Sequence, residues 1–273
     1  MGSKRTMEHL RTLWLHPEPD AWKLALEHYW CLVRDDHMEL ELEMDRLDVD
    51  RLRGMDAEEW YDFLLKEYFR SKYTAPNRYA TTTAQLKRQA KAAGGLDELF
   101  LVKKDLLGLD PADIERALEI PRQIWGLGIA GASGLLAWVY PKHFGTVDQF
   151  VVIALRKVPE ALDGVRVGNP ESIGKKAGAG LIRIMREKAA ELNRVFQTDD
   201  WTPRKVDMVL WAVGKQCSYV WTPPTGVATW RGGLGLLRGE CGAFLGVGRR
   251  SLRRRDEGYR MRAHVFQVID FLL

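Results

Sequence analysis

The sequence predicts an all-α fold. Apolar residues recur at intervals of three and four over several long segments, which is the period of a helix with one buried face. No segment shows the strict alternation of apolar and polar residues that is typical of a β-strand. Aspartate or the pair Asp-Pro or Thr-Pro stands before several of these segments, where helices usually begin. These observations favour a bundle of helices.

The first part of the chain predicts three helices, at residues 20–34, 56–70 and 82–92. Asp20 and Asp56 precede the first two helices and are expected to be their N-caps. Between the second and the third helix, residues 73–79 contain Pro76 and are expected to form a loop. We therefore expect residues 1–109 to form an N-terminal helical region.

The middle of the chain is expected to contain the most buried helix. Asp110 and Pro111 predict a helix start, because aspartate is a good cap and proline suits the first turn. Pro121 separates that helix from the segment that follows. A further helix is expected from about Ala130 to Tyr140. Since its residues are apolar nearly all round, we expect it at the centre of the fold.

The last part of the chain is expected to contain a loop, two helices and an unpatterned segment. Residues 163–180 are rich in glycine and lysine and predict a loop. Helices are expected at 181–196 and 202–215, and 222–250 is rich in glycine and arginine without a periodic pattern. A final helix is expected at 259–272. The resulting division is 1–109, a central region 110–221 and a C-terminal segment 222–273.

Composition and cysteine content exclude several classes of protein. Hydrophobic residues make up 46% of the chain and charged residues 29%, as in ordinary globular proteins. No charge-free apolar run reaches the roughly 18 residues of a membrane span, and the N-terminus lacks the apolar core of a secretory signal. Three cysteines are too few for a metal site and odd in number for a disulfide framework. We expect a cytoplasmic protein with no metal held by side chains.

Charge is distributed unevenly along the chain, although the net charge is only +4. Residues 35–59 are acidic, and basic residues cluster in the second half. Such clusters bind phosphate groups by releasing counterions, but an ordinary solvated surface carries basic runs as well. The clustered basic residues are Lys175, Lys176, Arg183, Arg186 and Lys188, then Arg249, Arg250, Arg253, Arg254 and Arg255.

A glycine hairpin and a single carboxylate form the most informative motif. Gly126-Leu127-Gly128 lies between two predicted helices, where glycine allows a sharp turn and a close approach of backbone N–H groups to a phosphate. Asp148 follows 22 residues after Gly126, directly before the apolar helix that starts at Gln149. At such an N-cap the carboxylate stays ionised, because backbone N–H groups and the helix dipole favour its charged form.

These residues resemble the signature of the helix-hairpin-helix (HhH-GPD) DNA glycosylases. In that superfamily a hairpin of the form Leu-Pro-Gly-Val-Gly is followed by a helix and a catalytic aspartate. The spacing is that of the adenine-mismatch branch, including a Lys-His-Phe that is present here as Lys142-His143-Phe144. The likeness covers residues 110–160 and extends to the helix at 202–215. Trp125 stands where the family usually has proline.

The resemblance implies a fold of two helical lobes with a DNA-binding cleft between them. It also implies that Asp148 is the catalytic residue, stabilising the charge that develops on the sugar and orienting or deprotonating water. Double-stranded DNA is the implied partner of a monomer, and no cofactor is implied beyond a monovalent cation at the hairpin backbone. The implied DNA contacts are Gly126, Leu127, Gly128, Ala130 and Lys142.

Two further properties follow from the resemblance. Family members that also cut the DNA strand carry a lysine where this chain has Ala130, so we predict a monofunctional glycosylase that leaves an abasic site. An extruded base is normally read by aromatic side chains. The candidates for that pocket are Trp138, Tyr140, Trp211 and Tyr73, all of which are also ordinary core residues.

Three interpretations therefore remain open at this point. The chain is a base-excising enzyme, a helix-hairpin-helix DNA-binding protein without catalysis, or an unrelated helical protein in which Gly126 and Gly128 form an ordinary helix connection. In the last two, Asp148 is only a helix cap and Lys142 only a solvated loop lysine.

Overall fold

The computed structural model describes residues 10–220, without the side chains of 217–220. Within this range the regular structure is helical and contains no strand, which confirms the all-α prediction. None of the helices in these residues has the length and apolar content needed to cross a membrane. The predictions for 222–250, for 259–272 and for the arginines from Arg249 to Arg255 lie outside the described residues.

The first half of the described chain forms eight helices and a π-helical turn. The helix α1 covers 10–15 of the described residues, and α5, the π turn and α6 follow one another without a break. The other bounds are α2 Pro19–Leu32, α3 Asp35–Asp45, α4 Val49–Gly54, α5 Ala57–Phe63, π turn Leu64–Tyr68, α6 Phe69–Lys72, α7 Pro76–Lys91 and α8 Gly95–Leu107.

The second half of the described chain forms five α-helices and two short 3₁₀ turns. The longest is α12, which is followed by α13. The bounds are α9 Ile114–Glu119, a 3₁₀ turn Pro121–Gln123, α10 Ile129–Val139, α11 Gln149–Leu155, a 3₁₀ turn Pro159–Leu162, α12 Lys175–Phe196 and α13 Pro203–Val220.

Local capping chemistry explains where several helices begin. Asp56 forms a capping box with Glu59, as its sequence position predicted. The prediction for Asp20 was wrong, because α2 begins one residue earlier, at Pro19, and Asp20 lies in the first turn, where its charge still complements the dipole.

Three further helix boundaries differ from those predicted. Pro76 starts α7 instead of lying in a loop, because a proline at the first helical position needs no partner for an N–H. Asp110 forms a turn, and α9 begins at Ile114 with Asp113 as its cap. The loop after residue 163 ends at Gly174, six residues earlier than expected, since α12 includes Gly178 and Gly180.

The helix α10 lies at the centre of the core, as predicted from its apolar sequence. Ten of its residues, Ile129 and all of Gly131–Val139, are buried. Two glycines allow the helix formed by α5, the π turn and α6 to approach it closely. A Cβ on Gly131 would lie 2.6 Å from the hydroxyl of Tyr73, and one on Gly134 would lie 2.9 Å from the hydroxyl of Tyr68. The Tyr68 hydroxyl donates a hydrogen bond to the carbonyl of Gly131.

The helix α11 packs against α13 at a third close approach. A Cβ on Gly214 of α13 would lie 1.9 Å from the carbonyl oxygen of Phe150 in α11. The neighbour is backbone and not a flexible side chain, so a methyl group can enter only if one helix moves.

We expect Gly214→Ala to lower the free energy of unfolding by about 1–3 kcal/mol, because it overpacks the contact between α11 and α13. The matched control is Gly54→Ala in α4, where a Cβ would meet nothing within 4 Å. Urea denaturation followed by circular dichroism measures both. Equal stability of the two variants would contradict the packing described here.

Candidate active site

The hairpin between the 3₁₀ turn and α10 has a backbone that only glycine adopts easily. Gly126 has a φ of 98°, in the region that disfavours a Cβ. A Cβ at this position would also lie 2.7 Å from the carbonyl oxygen of Thr82 in α7. The turn is closed by a hydrogen bond of 3.1 Å from the N–H of Leu127 to the carbonyl of Ile124. The predicted sharp turn at Gly126 is therefore present.

Two side chains from earlier helices fix the hairpin. The buried amide of Gln89 in α7 donates to the carbonyl of Gln123 at 2.9 Å and accepts from the N–H of Trp125 at 2.8 Å. The hydroxyl of Tyr73 donates to the carbonyl of Gly126 at 3.1 Å. Gln89 was not among the predicted residues. Its signal in the sequence was a polar residue on the apolar face of α7, three positions after Leu86.

The hairpin leads into α10 without a side-chain cap. Gly128 is the N-cap residue, and the first turn of the helix contains no acidic residue. The first N–H groups of any helix have no partner within it, so Ile129 and Ala130 present N–H groups at the positive end of the helix dipole. A helix start of this kind attracts an anionic group such as a phosphate.

A surface cavity of about 540 Å³ lies between this hairpin and the start of α7. Its lining is polar on the α7 side and glycine-rich on the hairpin side. Arg78 contributes a guanidinium that forms no ion pair with any residue in 10–220. The α7 helix carries four basic residues and no acidic one. The lining residues are Asn77, Arg78, Thr81, Thr82, Gln85, Gly126, Leu127 and Gly128.

Trp125 extends this surface beyond the cavity. It is one of the few large apolar side chains that are exposed, at 40%, and the guanidinium of Arg88 in α7 lies 5.1 Å from its ring centre. The residue that departs from the family pattern is therefore an exposed ring on a basic face. An exposed aromatic beside arginines can stack on nucleic acid bases or sugars.

Asp148 is the N-cap of α11, as its position predicted. Its Oδ1 accepts hydrogen bonds from the N–H groups of Phe150, at 2.9 Å, and Val151, at 3.2 Å. Its Oδ2 has no hydrogen-bond partner among the residues described. The side chain is only partly buried. The first N–H groups of α11 thus fix one carboxylate oxygen, and the other oxygen can accept a hydrogen bond from a ligand or from water.

Two buried side chains hold the loop that carries Asp148. The carboxylate of Asp207 in α13 accepts from the N–H of Thr146 at 2.6 Å. The hydroxyl of Ser133 in α10 accepts from the N–H of Val147 at 2.9 Å. Ser133 lies five residues after Gly128, which corresponds to roughly 7 Å along the helix axis. The hairpin and the loop that carries Asp148 therefore both attach to α10, at positions separated along its axis by about the rise of two nucleotides in a DNA strand.

Asp207 belongs to a buried network of charges. It accepts from Arg204 at 2.9 Å, and Arg204 also contacts Glu41 at 3.2 Å and the hydroxyl of Tyr29 at 3.3 Å. Burial raises the pKa of Asp207 to about 6, against the opposing effect of Arg204. Burial alone would lower the pKa of Arg204, but its negative partners more than offset this, so its pKa lies above the ordinary value and it stays charged.

Lys72, at the end of α6, is a site residue that the sequence did not indicate. The charges of the Asp148 and Asp207 carboxylates act on its amine. A lysine in the last turn of a helix normally serves only to complement the dipole, so no local signal marked this one. It reaches the site because α6 lies against α10 at Gly134.

The four predicted pocket aromatics lie in different surroundings. Trp138 is 8% exposed, and the guanidinium of Arg204 covers its ring at 4.1 Å. Tyr140 donates to the carbonyl of Leu106, Trp211 packs against Phe150 and Tyr73 supports the hairpin. Within 10–220, no two of these four rings are in contact with each other.

The predicted basic contacts are placed as follows. Lys142 is exposed in the loop after α10. Lys188 is buried, with its amine bound to the carbonyl of Trp14 and to Glu191. Arg186 donates to the carbonyls of His143 and Pro111. These two members of the cluster on α12 therefore join parts of the fold to each other, in contrast to the unpaired Arg78.

We expect Asp207→Ala to lower the free energy of unfolding by about 3 kcal/mol, because it leaves Arg204 with less compensation and the N–H of Thr146 without an acceptor. Urea denaturation measures the loss. Asp113→Ala, which removes an exposed helix cap, serves as the control and should cost about 1 kcal/mol. Losses of the same size would show that the buried network contributes no more than a cap.

Comparisons of this chain with protein-family models, with curated proteins and with solved structures find no match.

Proposed function

We propose that the chain is a DNA N-glycosylase, which extrudes a damaged, mismatched or modified base and hydrolyses the bond between that base and its deoxyribose. One observation carries the proposal. The hairpin that attracts an anion opens α10, and the loop that carries Asp148, with one carboxylate oxygen unbonded, is bound to the same helix. Ser133 and Asp207 accept hydrogen bonds from the loop that precedes Asp148. Gln89 forms two hydrogen bonds with the backbone of the hairpin.

The hairpin side supports binding of a DNA backbone. The N–H groups at the start of α10 and the unpaired Arg78 offer donors to phosphate oxygens. These contacts carry no sequence information and serve to position the strand. Duplex DNA is the proposed partner and a single chain the proposed acting unit.

Asp148 supports the chemical step. As the glycosidic bond breaks, positive charge develops on the sugar, and a fixed carboxylate stabilises that charge without reorganising. Its Oδ1 is held by Phe150 and Val151, while its Oδ2 can face the sugar or accept a proton from the attacking water. Hydrolysis by these residues ends at an abasic site, because Ala130 gives the hairpin no amine.

A monovalent cation at the hairpin backbone, which the resemblance implies, stays part of the proposal. The carbonyls of Ile124, Gly126 and Gly128 each accept a hydrogen bond from within the chain. Each carbonyl keeps a second lone pair that can bind a monovalent cation, and the proposed hydrolysis uses no step through that cation.

We expect Asp148→Asn to reduce base excision by roughly 10²-fold or more, since it removes the charge and the general base, while leaving stability and DNA binding unchanged. Asparagine caps helices as well as aspartate does, so this variant separates catalysis from capping. The measurement is alkali-labile cleavage of a panel of duplexes, each with one modified or mismatched base.

Asp113→Asn, at the N-cap of α9, is the matched control and should excise at the wild-type rate. Excision by Asp148→Asn at that rate would overturn the assignment. Binding without excision by the wild-type chain on every duplex would favour a non-catalytic DNA-binding protein instead.

We expect Arg78→Gln to weaken binding to all duplexes alike and to reduce the slope of log affinity against log salt by about 0.9, which is the effect of one lost phosphate contact. Arg194→Gln should leave the slope unchanged. Arg194 is exposed near the end of α12, about 24 Å along that helix from Gly178, which packs against Ile129. Equal slopes for both variants would show that Arg78 contacts no phosphate and that the cavity is not part of the DNA-binding surface.

A further inference from the structure

The amine of Lys72 is acted on by the charge of Asp148 and has no bonded partner in 10–220. Lys72 is partly buried, yet it forms no hydrogen bond and no ion pair within 4 Å in the part of the chain that the structure describes. The charges that act on it are those of Asp148, Asp207, Glu41 and Arg204. A half-buried amine without a partner contributes little to the stability of the fold, which leaves room for another role.

The path of the Lys72 side chain is set by α10. A Cβ on Gly134 would lie 3.3 Å from both Cδ and Cε of Lys72, so the aliphatic chain passes directly over this glycine. Gly134 follows Ser133, whose hydroxyl holds the N–H of Val147 next to Asp148. The Lys72 amine and the Asp148 carboxylate are therefore brought to the same part of α10 from two different segments, with more than 4 Å between their charged atoms.

The surroundings of the amine shift its protonation equilibrium toward the neutral, nucleophilic form. Burial lowers the pKa of Lys72 below its ordinary value, and Asp148 and Asp207 oppose this change only in part. A desolvated lysine is the usual amine that attacks a carbonyl carbon in proteins.

We propose that Lys72 is a second catalytic residue, which attacks the aldehyde carbon C1′ of an abasic sugar and forms a Schiff base with the DNA. The proposal rests on the proposed glycosylase function, because excision at Asp148 releases an abasic sugar in this site. It adds a strand-cleaving step to that function and replaces the expectation, based on Ala130 alone, that the strand stays intact.

The proposed step balances without any added reagent. The Nζ–C1′ bond forms as the ring-opened aldehyde loses water, which leaves a protonated imine. A base removes a proton from C2′, and the C3′–O bond breaks so that the 3′ phosphate leaves with the electron pair. Asp148, whose charge acts on the Lys72 amine, is the carboxylate proposed to take that proton. Water then hydrolyses the imine and restores the free amine.

The test uses a duplex with one preformed abasic site, prepared by removing uracil with a separate enzyme. The full-length chain is incubated with this duplex and borohydride, which reduces a Schiff base to a stable amine link. We expect a covalent protein–DNA adduct, mapped to Lys72 by peptide mass spectrometry. Lys72→Arg keeps the charge but not the nucleophile, and it should bind the duplex with wild-type affinity and form no adduct. Lys66→Gln, an exposed position on the same helix, should form it normally.

Each outcome separates the two proposals. An adduct at Lys72 without excision of any base would support the inference and overturn the glycosylase function. Excision by the wild-type chain without an adduct at Lys72 would overturn the inference and leave the glycosylase function in place. An adduct of equal yield in Lys72→Arg would also overturn the inference. Circular dichroism of each variant shows that it is folded.

Discussion

The backbone of α10 is the constraint on which the rest of the site depends. Its small residues let other segments touch it directly: Gly131 and Gly134 admit Tyr68, Lys72 and Tyr73, and Ser133 binds the loop before Asp148. Because the helix is buried on all sides, these segments cannot shift without disturbing the core. The hairpin, the carboxylate and the lysine thus share a single rigid support, as a catalytic site requires.

The buried charges around Arg204 extend this support across the fold. Arg204 joins Tyr29 of α2 and Glu41 of α3 to Asp207 of α13, and Asp207 in turn holds Thr146. Burying charges is unfavourable unless each is paired, and such networks are weak sources of stability. Their value here is positional: they fix the start of α11, and with it Asp148, relative to helices that are distant in sequence.

The sequence allowed prediction of those features that are decided locally. The cap at Asp56, the cap at Asp148 and the burial of α10 follow from residues within a turn or two of each other. Asp20 was misplaced because Pro19 starts α2, and Pro76 was misplaced because it is itself the first residue of α7. Lys72 and Gln89 were missed because their roles arise only when α6 and α7 meet α10 and the hairpin, 30 or more residues away. Whether Asp148 performs chemistry is likewise not a local property.

The π turn at Leu64–Tyr68 controls which side chains face α10. A π turn accommodates one residue more than an α-helical turn, and each residue advances the helix by about 100°. Loss of a single residue there would rotate all that follows, moving Tyr68 and Lys72 off Gly131 and Gly134 while the helix itself persisted. The side chains that the proposed catalysis would use are therefore set in place by an insertion of one residue.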